Sequence, residues 1–316
     1  MRYFLISSFL LGSLLAAEPA NMPPQSAQQP SAAITRSPSD QVTYATVKIE
    51  CTLPSGRTSS GTGFFYSAAK NKETQREVPL LITNKHVIKD ALTGTFNLHL
   101  ADDKNEPIPG KSIPISIDKF EEKWTAHPDG ITDLCALPIA PILNDLLQKN
   151  IKVYRISLDA SLVPSDVDLQ DIDVYEHVLM VGYPIGLWDS VNNMPILRTG
   201  ATATSPSLDY EGRPEFMIDA ACFPGSSGSP VLLWDSGAHT NRKGETSFGT
   251  RIKLLGVLYA GPQETIDGEI KVVTIPTSRQ APIALSRIPV NLGYVIKAKK
   301  LLDFDALAAK AIAEQK

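Results

Sequence analysis

The chain has 316 residues, 43% hydrophobic and 20% charged, ordinary globular proportions that allow a sizeable buried core and exclude disorder of the chain as a whole. A formal charge of -4 excludes the clustered-cation hold that nucleic acid requires. No uninterrupted apolar run reaches the roughly 18 residues of a membrane helix, and three cysteines cannot build a disulfide-dense scaffold.

Residues 1–17 read as a secretory signal: Arg2 gives the positive end, Tyr3 to Leu15 the apolar stretch, and Ala16-Ala17 the small residues for cleavage. A buried N-terminal helix or an uncleaved anchor is the alternative. Export to the periplasm or the cell exterior follows from the first reading, with no stable membrane insertion once the signal is removed. Residues 18–40 are rich in Pro, Gln, Ser and Ala without periodicity and read as a flexible leader, with the folded domain starting near Gln41.

From there short strands dominate. Val47, Ile49 and Cys51 alternate with polar partners, the period of a half-buried strand. Further runs are GTGFFY (61–66), PLLITN (79–84), FNLHL (96–100), IPISI (113–117), LCALPI (134–139), VLMVGY (178–183), EFMIDAA (215–221), PVLLW (230–234), KLLGVLYAG (253–261) and IKVVTI (270–275). Helical pattern is limited to a piece near 141–150 and a tail at 298–315. Many short strands at near-regular spacing indicate an all-β sandwich or barrel.

Three segments carry chemistry. LLITNKHVIKD places His86 just after an apolar strand, ITDLCALPI places Asp133 at the start of one, and FPGSSGSPVLL places Ser227 in a Gly-bracketed turn. His86 and Asp133 lie 47 residues apart, and Asp133 and Ser227 lie 94 apart, so only the fold can unite them. Base, orienting acid and nucleophile together form the constellation of covalent acyl transfer. A serine hydroxyl is a poor nucleophile near neutral pH and needs a base with a pKa near 7, which His86 supplies. Asp129, in the turn HPDG, is the rival to Asp133, and Ser226 and Ser229 flank the nucleophile. His99, His127, His177 and His239 show no metal-ligand spacing, and no Gly-rich loop ending in Gly-Lys is present, so neither metal nor cofactor is expected.

These segments, with VGYPIGL, LLGVLYAG and NLGYVIKAKKLLDF, make residues 41–305 resemble a trypsin-like (chymotrypsin-fold) serine protease, nearest to bacterial HtrA-type and V8-type proteases. The resemblance implies two antiparallel six-stranded β-barrels with a short C-terminal helix, residues 306–316 ending the chain as a helical tail. It places His86 and Asp133 on the first barrel, Ser227 on the second and the site in the cleft between them. Gly225 lets the backbone turn so that the amides of Gly225 and Ser227 form an oxyanion hole. Protein or peptide substrates would pair as an added strand along Leu258, Tyr259 and Ala260. The pocket beside that edge would take its floor from Ala221 and Cys222 and its wall from Leu258.

Ala221 offers no carboxylate for Lys or Arg, and Leu258 stands where glutamyl endopeptidases carry histidine. The expected preference at the cleaved position is therefore small or medium apolar residues. Digestive relatives switch on when a new N-terminal amine pairs with an Asp before the nucleophile; Ser226 occupies that position, so activity is expected without such pairing. Too few residues follow Asp305 for a PDZ domain. Cys51, Cys135 and Cys222 read as buried thiols, although an oxidising compartment permits a Cys51–Cys135 bridge. The alternative function is a catalytically inactive trypsin-fold protein that binds peptides or proteins. The stretches Asp235–Thr250 and Gln263–Pro289 read as enlarged loops of the second barrel.

Overall fold

Strands β2 (Thr58–Ala68) and β3 (Val78–Thr83) are buried along nearly their whole length, and their apolar residues divide strictly by parity. Phe64, Tyr66, Leu80 and Ile82 join one core, while Phe65 and Leu81 join another. Side chains alternate across a strand, so an unbroken apolar run means that both faces are covered. A computed structural model describes residues 36–70, 76–269 and 283–314, and the compact unit of interest runs from Ser37. The secretory signal and most of the leader lie outside the described residues, as does IKVVTI (270–275).

A capped turn of helix, α1 (Pro38–Val42), precedes the first strand, with Ser37 and Asp40 closing a reciprocal capping box. The N-terminal half is a nine-stranded sheet. Its order is β5-β4-β1-β2-β3-β7-β6, with β8 beside β4 and β9 beside β2. The other strands are β1 (Thr46–Thr52), β4 (Thr93–Ala101), β5 (Pro107–Asp118), β6 (Thr125–Ala126), β7 (Cys135–Pro138), β8 (Val153–Tyr154) and β9 (Leu158–Asp159). Val47, Ile49, Phe65, Leu81, Phe96, Leu98, Cys135 and Leu137 meet in one cluster, so the sheet wraps around its own core. The C-terminal half is a closed barrel of six strands: β10 (His177–Gly182), β11 (Ile196–Thr202), β12 (Glu215–Asp219), β19 (Leu292–Lys297), β16 (Arg251–Ala260) and β13 (Pro230–Asp235). The mostly-β class, the closed six-stranded barrel and the short C-terminal helix agree with the expected fold.

The two enlarged loops each contain a hairpin. Strands β14 (Ala238–Thr240) and β15 (Thr246–Phe248) pair within the first, and β17 (Gln263–Glu269) and β18 (Ile283–Pro289) within the second. Helix α2 (Lys85–Ile88) follows β3, and α3 (Ala140–Gln148) falls on the expected helical piece. Helix α4 (Asp166–Asp171), capped by Ser165, was not visible as an apolar period because none of its residues is buried.

The parity rule also explains how the halves are held together. Leu179 and Val181 of β10, Leu232 of β13, and Leu254 and Val257 of β16, whose parity is reset by a register shift at Leu255, turn to the same core as Phe64, Tyr66 and Ile82 of the first half. Their neighbours Val178, Met180, Val231, Leu233 and Leu255 fill the barrel. Helix α5 (Leu302–Glu314) seals this shared core with Phe304 and Ala308, one turn apart, beside Leu301. Asp305 anchors it, accepting the Tyr66 hydroxyl at 2.6 Å and the Ala69 amide at 2.8 Å. The end of β3 and the turn before β13 therefore face each other across the junction.

Candidate active site

The chain leaves β3 at Thr83 and enters α2 through Asn84, which puts His86 on the first turn. Asn84 is fully buried, and its side-chain amide donates to the Asp133 carbonyl at 2.7 Å. That bond fixes the backbone of the segment 47 residues downstream against the histidine. The Asp133 carboxylate then receives two donors from His86: the backbone N–H at 3.1 Å and ring Nδ1 at 2.5 Å. With Nδ1 facing a carboxylate, the ring proton belongs on Nδ1 and Nε2 is left as an acceptor. Sequence reasoning paired these two side chains, and they meet.

Asp129 has another task. Its carboxylate accepts the amides of Ile131 and Thr132 at 3.1 and 2.9 Å, the Thr132 hydroxyl at 2.5 Å and Lys300 Nζ at 2.9 Å, and lies 3.0 Å from His127 Nδ1. Burial works to raise its pKa, but hydrogen bonds from Thr132, Lys300 and His127 outweigh burial and hold it well below the usual carboxylate range. Asp129 thus ties the loop that carries Asp133 to the chain entering α5.

Ser227 sits in the turn between β12 and β13. Gly225 and Gly228 on either side have φ of +86° and +88°, where L side chains are strained. A Cβ on Gly225 would come within 2.6 Å of the Tyr183 carbonyl, and one on Gly228 would overlap the Thr62 carbonyl. The turn is stitched to the first half by Thr62, a fully buried residue of β2. Its hydroxyl donates to the Gly225 carbonyl at 3.0 Å, its N–H to the Ser227 carbonyl at 2.8 Å, and its own carbonyl accepts the Thr83 hydroxyl at 2.7 Å. One residue thereby connects the Ser227 turn to the strand that leads to His86. The sequence offered only the motif GTGFFY as a signal for it.

The Pro224 carbonyl accepts the Ile185 amide at 2.6 Å. In a trans peptide the N–H points opposite to the C=O, so the Gly225 N–H points away from Ile185. Neither this amide nor that of Ser227 meets an acceptor among the described residues. His86, Ser227 and Gly225 line one cavity of about 390 Å³, together with Cys222, Phe223, Pro224, Leu258 and Ala260. The Ser227 hydroxyl itself donates to the Tyr259 carbonyl at 3.3 Å.

Two expectations about the substrate pocket are revised. Ala221 is not among the residues lining this cavity, and its carbonyl accepts a bond from Arg198. Leu258 lines the pocket, but its backbone is not open to a substrate strand: its N–H donates to Ser229 at 3.0 Å and its carbonyl accepts Gly228 at 2.8 Å. A bulge in β16 between Leu258 and Ala260 turns the Tyr259 carbonyl toward Ser227, so the open edge begins at Tyr259. The Tyr259 side chain leaves the pocket and donates to Glu215 at 2.9 Å.

All three cysteines are free and buried. Cys51 donates to the Val87 carbonyl and Cys135 to the Thr83 carbonyl, so the Cys51–Cys135 bridge is not formed. Burial pushes Cys51 up to about 12 and Cys222 up to about 11, which suits inert thiols. Among the described residues no group of His, Cys, Asp and Glu has the disposition of a metal site, and no helix is long and apolar enough to cross a membrane.

No curated protein sequence matches the chain. Solved structures to which it is similar include the HtrA-type protease AlgW with tripeptide (16% identity over 86% of this chain and 60% of that one, TM-score 0.38). Others are the serine endoprotease from Yersinia pestis (16%, 86% and 62%, TM-score 0.37) and Rv3671c from M. tuberculosis in an inactive form (15%, 89% and 95%, TM-score 0.37). The chain spans about six-tenths of the length of these HtrA-type and endoprotease structures. The trypsin-like peptidase domain matches residues 61–238, more than half of the sequence and all three segments around His86, Asp133 and Ser227, and the chain belongs to that family.

Proposed function

We propose that the protein is a serine endopeptidase that cleaves through an acyl-enzyme, with Ser227 as nucleophile, His86 as general base and acid, and Asp133 as the group that orients it. The observation that carries the reading is the 2.5 Å contact between His86 Nδ1 and Asp133, made in a cavity that His86 shares with Ser227. Substrate attack requires the Ser227 hydroxyl to leave the Tyr259 carbonyl and turn to His86 Nε2. His86 takes the hydroxyl proton as Oγ adds to the scissile carbonyl. The negative oxygen formed meets the unpaired amides of Gly225 and Ser227. The imidazolium, steadied by Asp133, returns the proton to the leaving amine, and a water repeats the sequence to release the acid.

A peptide lying in the cleft pairs with the edge that opens at Tyr259, whose carbonyl accepts a substrate N–H once Ser227 has turned away. Cys222, Leu258 and Phe223 give the adjoining pocket uncharged walls, which supports a preference for small or medium apolar residues at the cleaved position. Proteins or peptides are the substrates, and the apolar stretch at residues 3–15 supports export to the periplasm or beyond.

A fluorophosphonate probe tests the reading directly. Covalent labelling of the wild-type chain that is lost in Ser227→Ala supports it, whereas an unlabelled wild-type chain leaves a peptide-binding module as the function. A peptide-library profile dominated by Arg, Lys or Glu at the cleaved position would reject the apolar pocket.

A further inference from the structure

Among the described residues Arg198 is a cation without a counter-ion. It lies on β11, opposite Met180 of β10, and no carboxylate approaches it within ion-pair distance among the described residues. Its Nε is buried with no hydrogen-bond partner among the described residues. One terminal nitrogen donates to the Ala221 carbonyl, the other donates to the Ser226 hydroxyl at 2.5 Å, and the guanidinium stands 5.9 Å from the Phe223 ring. A single planar fork therefore grips both ends of the segment 221–226. Between the two grips lie Cys222, Phe223, Pro224 and Gly225, all of which line the cavity beside Ser227.

The sheet explains why a side chain is needed there. The ladder between β11 and β12 covers only Ala201–Asp219 and Thr202–Ile218. Beyond Asp219 the chain leaves the barrel for the nucleophile turn and loses that support. Arg198, three residues before Ala201 on β11, reaches across the opening and supplies the missing donors. Its fork matches two acceptors five residues apart, which an ammonium, a point charge, would not. The charge is also felt at the pocket wall, where it opposes the rise that burial imposes on the Cys222 thiol.

We propose that Arg198 is a positioning residue that braces the nucleophile turn from behind, holding the pocket-lining segment by the Ala221 carbonyl at one end and by Ser226, the position before the nucleophile, at the other. The inference rests on the reading of Ser227 as nucleophile. Ser226 is fully buried and already occupied by an internal donor, so the turn is held without a newly released N-terminal amine. The brace acts on the Gly225 and Ser227 amides, which meet the substrate oxygen only as charge develops on it. Its loss therefore weakens kcat more than KM.

The test compares wild type, Arg198→Met, Arg198→Ala and Ser226→Ala in peptide hydrolysis and in fluorophosphonate labelling. Arg198→Met is expected to lower kcat by about 100-fold with KM changed less than about threefold, in the range of losing one oxyanion donor. Arg198→Ala is expected to recover at least about tenfold when millimolar ethylguanidinium is added, a rescue that a general loss of folding would not show. Ser226→Ala keeps the cation and removes one acceptor, so about a tenfold loss of kcat is expected even if the Arg198 variants fold poorly. A blocked N-terminal amine should leave the wild-type rate unchanged. If wild type is labelled and the folded Arg198→Met chain is labelled at the same rate, the brace is overturned while the nucleophile stands. If wild type is not labelled, both readings fall.

Discussion

The Ser227 hydroxyl and the Tyr259 carbonyl, on neighbouring segments of the C-terminal barrel, are joined at 3.3 Å. The contact is at the long end for a hydroxyl donor and contributes little to stability. In the proposed mechanism it parks the Ser227 hydroxyl on the backbone group that a substrate strand would use. Arrival of a peptide N–H at Tyr259 then competes for the same lone pairs and frees the hydroxyl for His86. Ser227→Ala removes only this weak bond, so we expect the melting temperature to shift by no more than a few degrees. Peptide hydrolysis should fall at least about 1000-fold, because the remaining amides cannot replace the covalent step. Unaltered turnover in this variant would assign the nucleophile elsewhere.

Asp133 and Asp129 make a contrasting pair. Asp133→Asn preserves size but offers Nδ1 an amide that can donate as well as accept, and the ring can settle in the unproductive tautomer. A kcat lower by about 10⁴ with nearly unchanged thermal stability is the expected result. Asp129→Asn breaks the ion pair to Lys300 and weakens the Thr132 and His127 contacts at a half-buried site. It should lower stability by about 1–3 kcal/mol and reduce kcat only as far as the loop bearing Asp133 loosens. Thermal unfolding and steady-state kinetics on the two variants separate the roles, and the opposite assignment would exchange the two outcomes.

Gly225→Ala tests the oxyanion hole without touching the triad. The added methyl must occupy a φ of +86° and would meet the Tyr183 carbonyl at 2.6 Å, so the peptide carrying the Gly225 amide has to move. The expected effect is a 100- to 1000-fold loss of kcat, on the order of one lost donor, with a modest change in KM. Equal kcat in wild type and variant would show that this amide does not face the developing charge.

The segments that carry His86, Asp133 and Ser227 were legible because each adjoins a doubly covered strand, and such strands announce themselves as unbroken apolar runs. Leu134 and Ala136 beside Asp133 face one core, and Cys135 and Leu137 face another, which is why LCALPI reads so clearly. What the sequence concealed depends on contacts between distant stretches. Thr62 is one polar residue inside GTGFFY, and its links to Gly225 and Ser227 span more than 160 residues. Arg198 lies outside every strand-like run of the sequence, and nothing local tells that the strand partner of β11 departs at Asp219. The edge expected at Leu258 failed by one residue for a similar reason: the bulge at Tyr259 is a register event between β16 and β19, invisible in either strand alone. The start of the folded unit fell at Ser37, because the capping box of α1 is short and its only buried helical residue is Val42.

Acid stability offers a test away from the cleft. His99 lies on β4, 5% exposed, edge-on to the Tyr44 ring at 4.8 Å, with Nε2 buried and unpartnered among the described residues. Desolvation pushes its pKa down to about 4, against a smaller opposing effect from a hydrogen bond to the Asn193 backbone. The folded protein therefore keeps His99 neutral at a pH where the unfolded chain has already bound a proton. Stability is unaffected by this group above pH 6.5, declines as pH falls from 6.5 toward 4, and levels off below that. The full loss is about 3 kcal/mol at roughly 1.4 kcal/mol for each pH unit between the two pKa values. In His99→Gln the side chain does not titrate, so its unfolding free energy should lack this component of the acid decline. Denaturant titrations at pH 7.5, 5.5 and 4.5 measure the difference, and parallel curves for wild type and variant would show that His99 is not the group responsible.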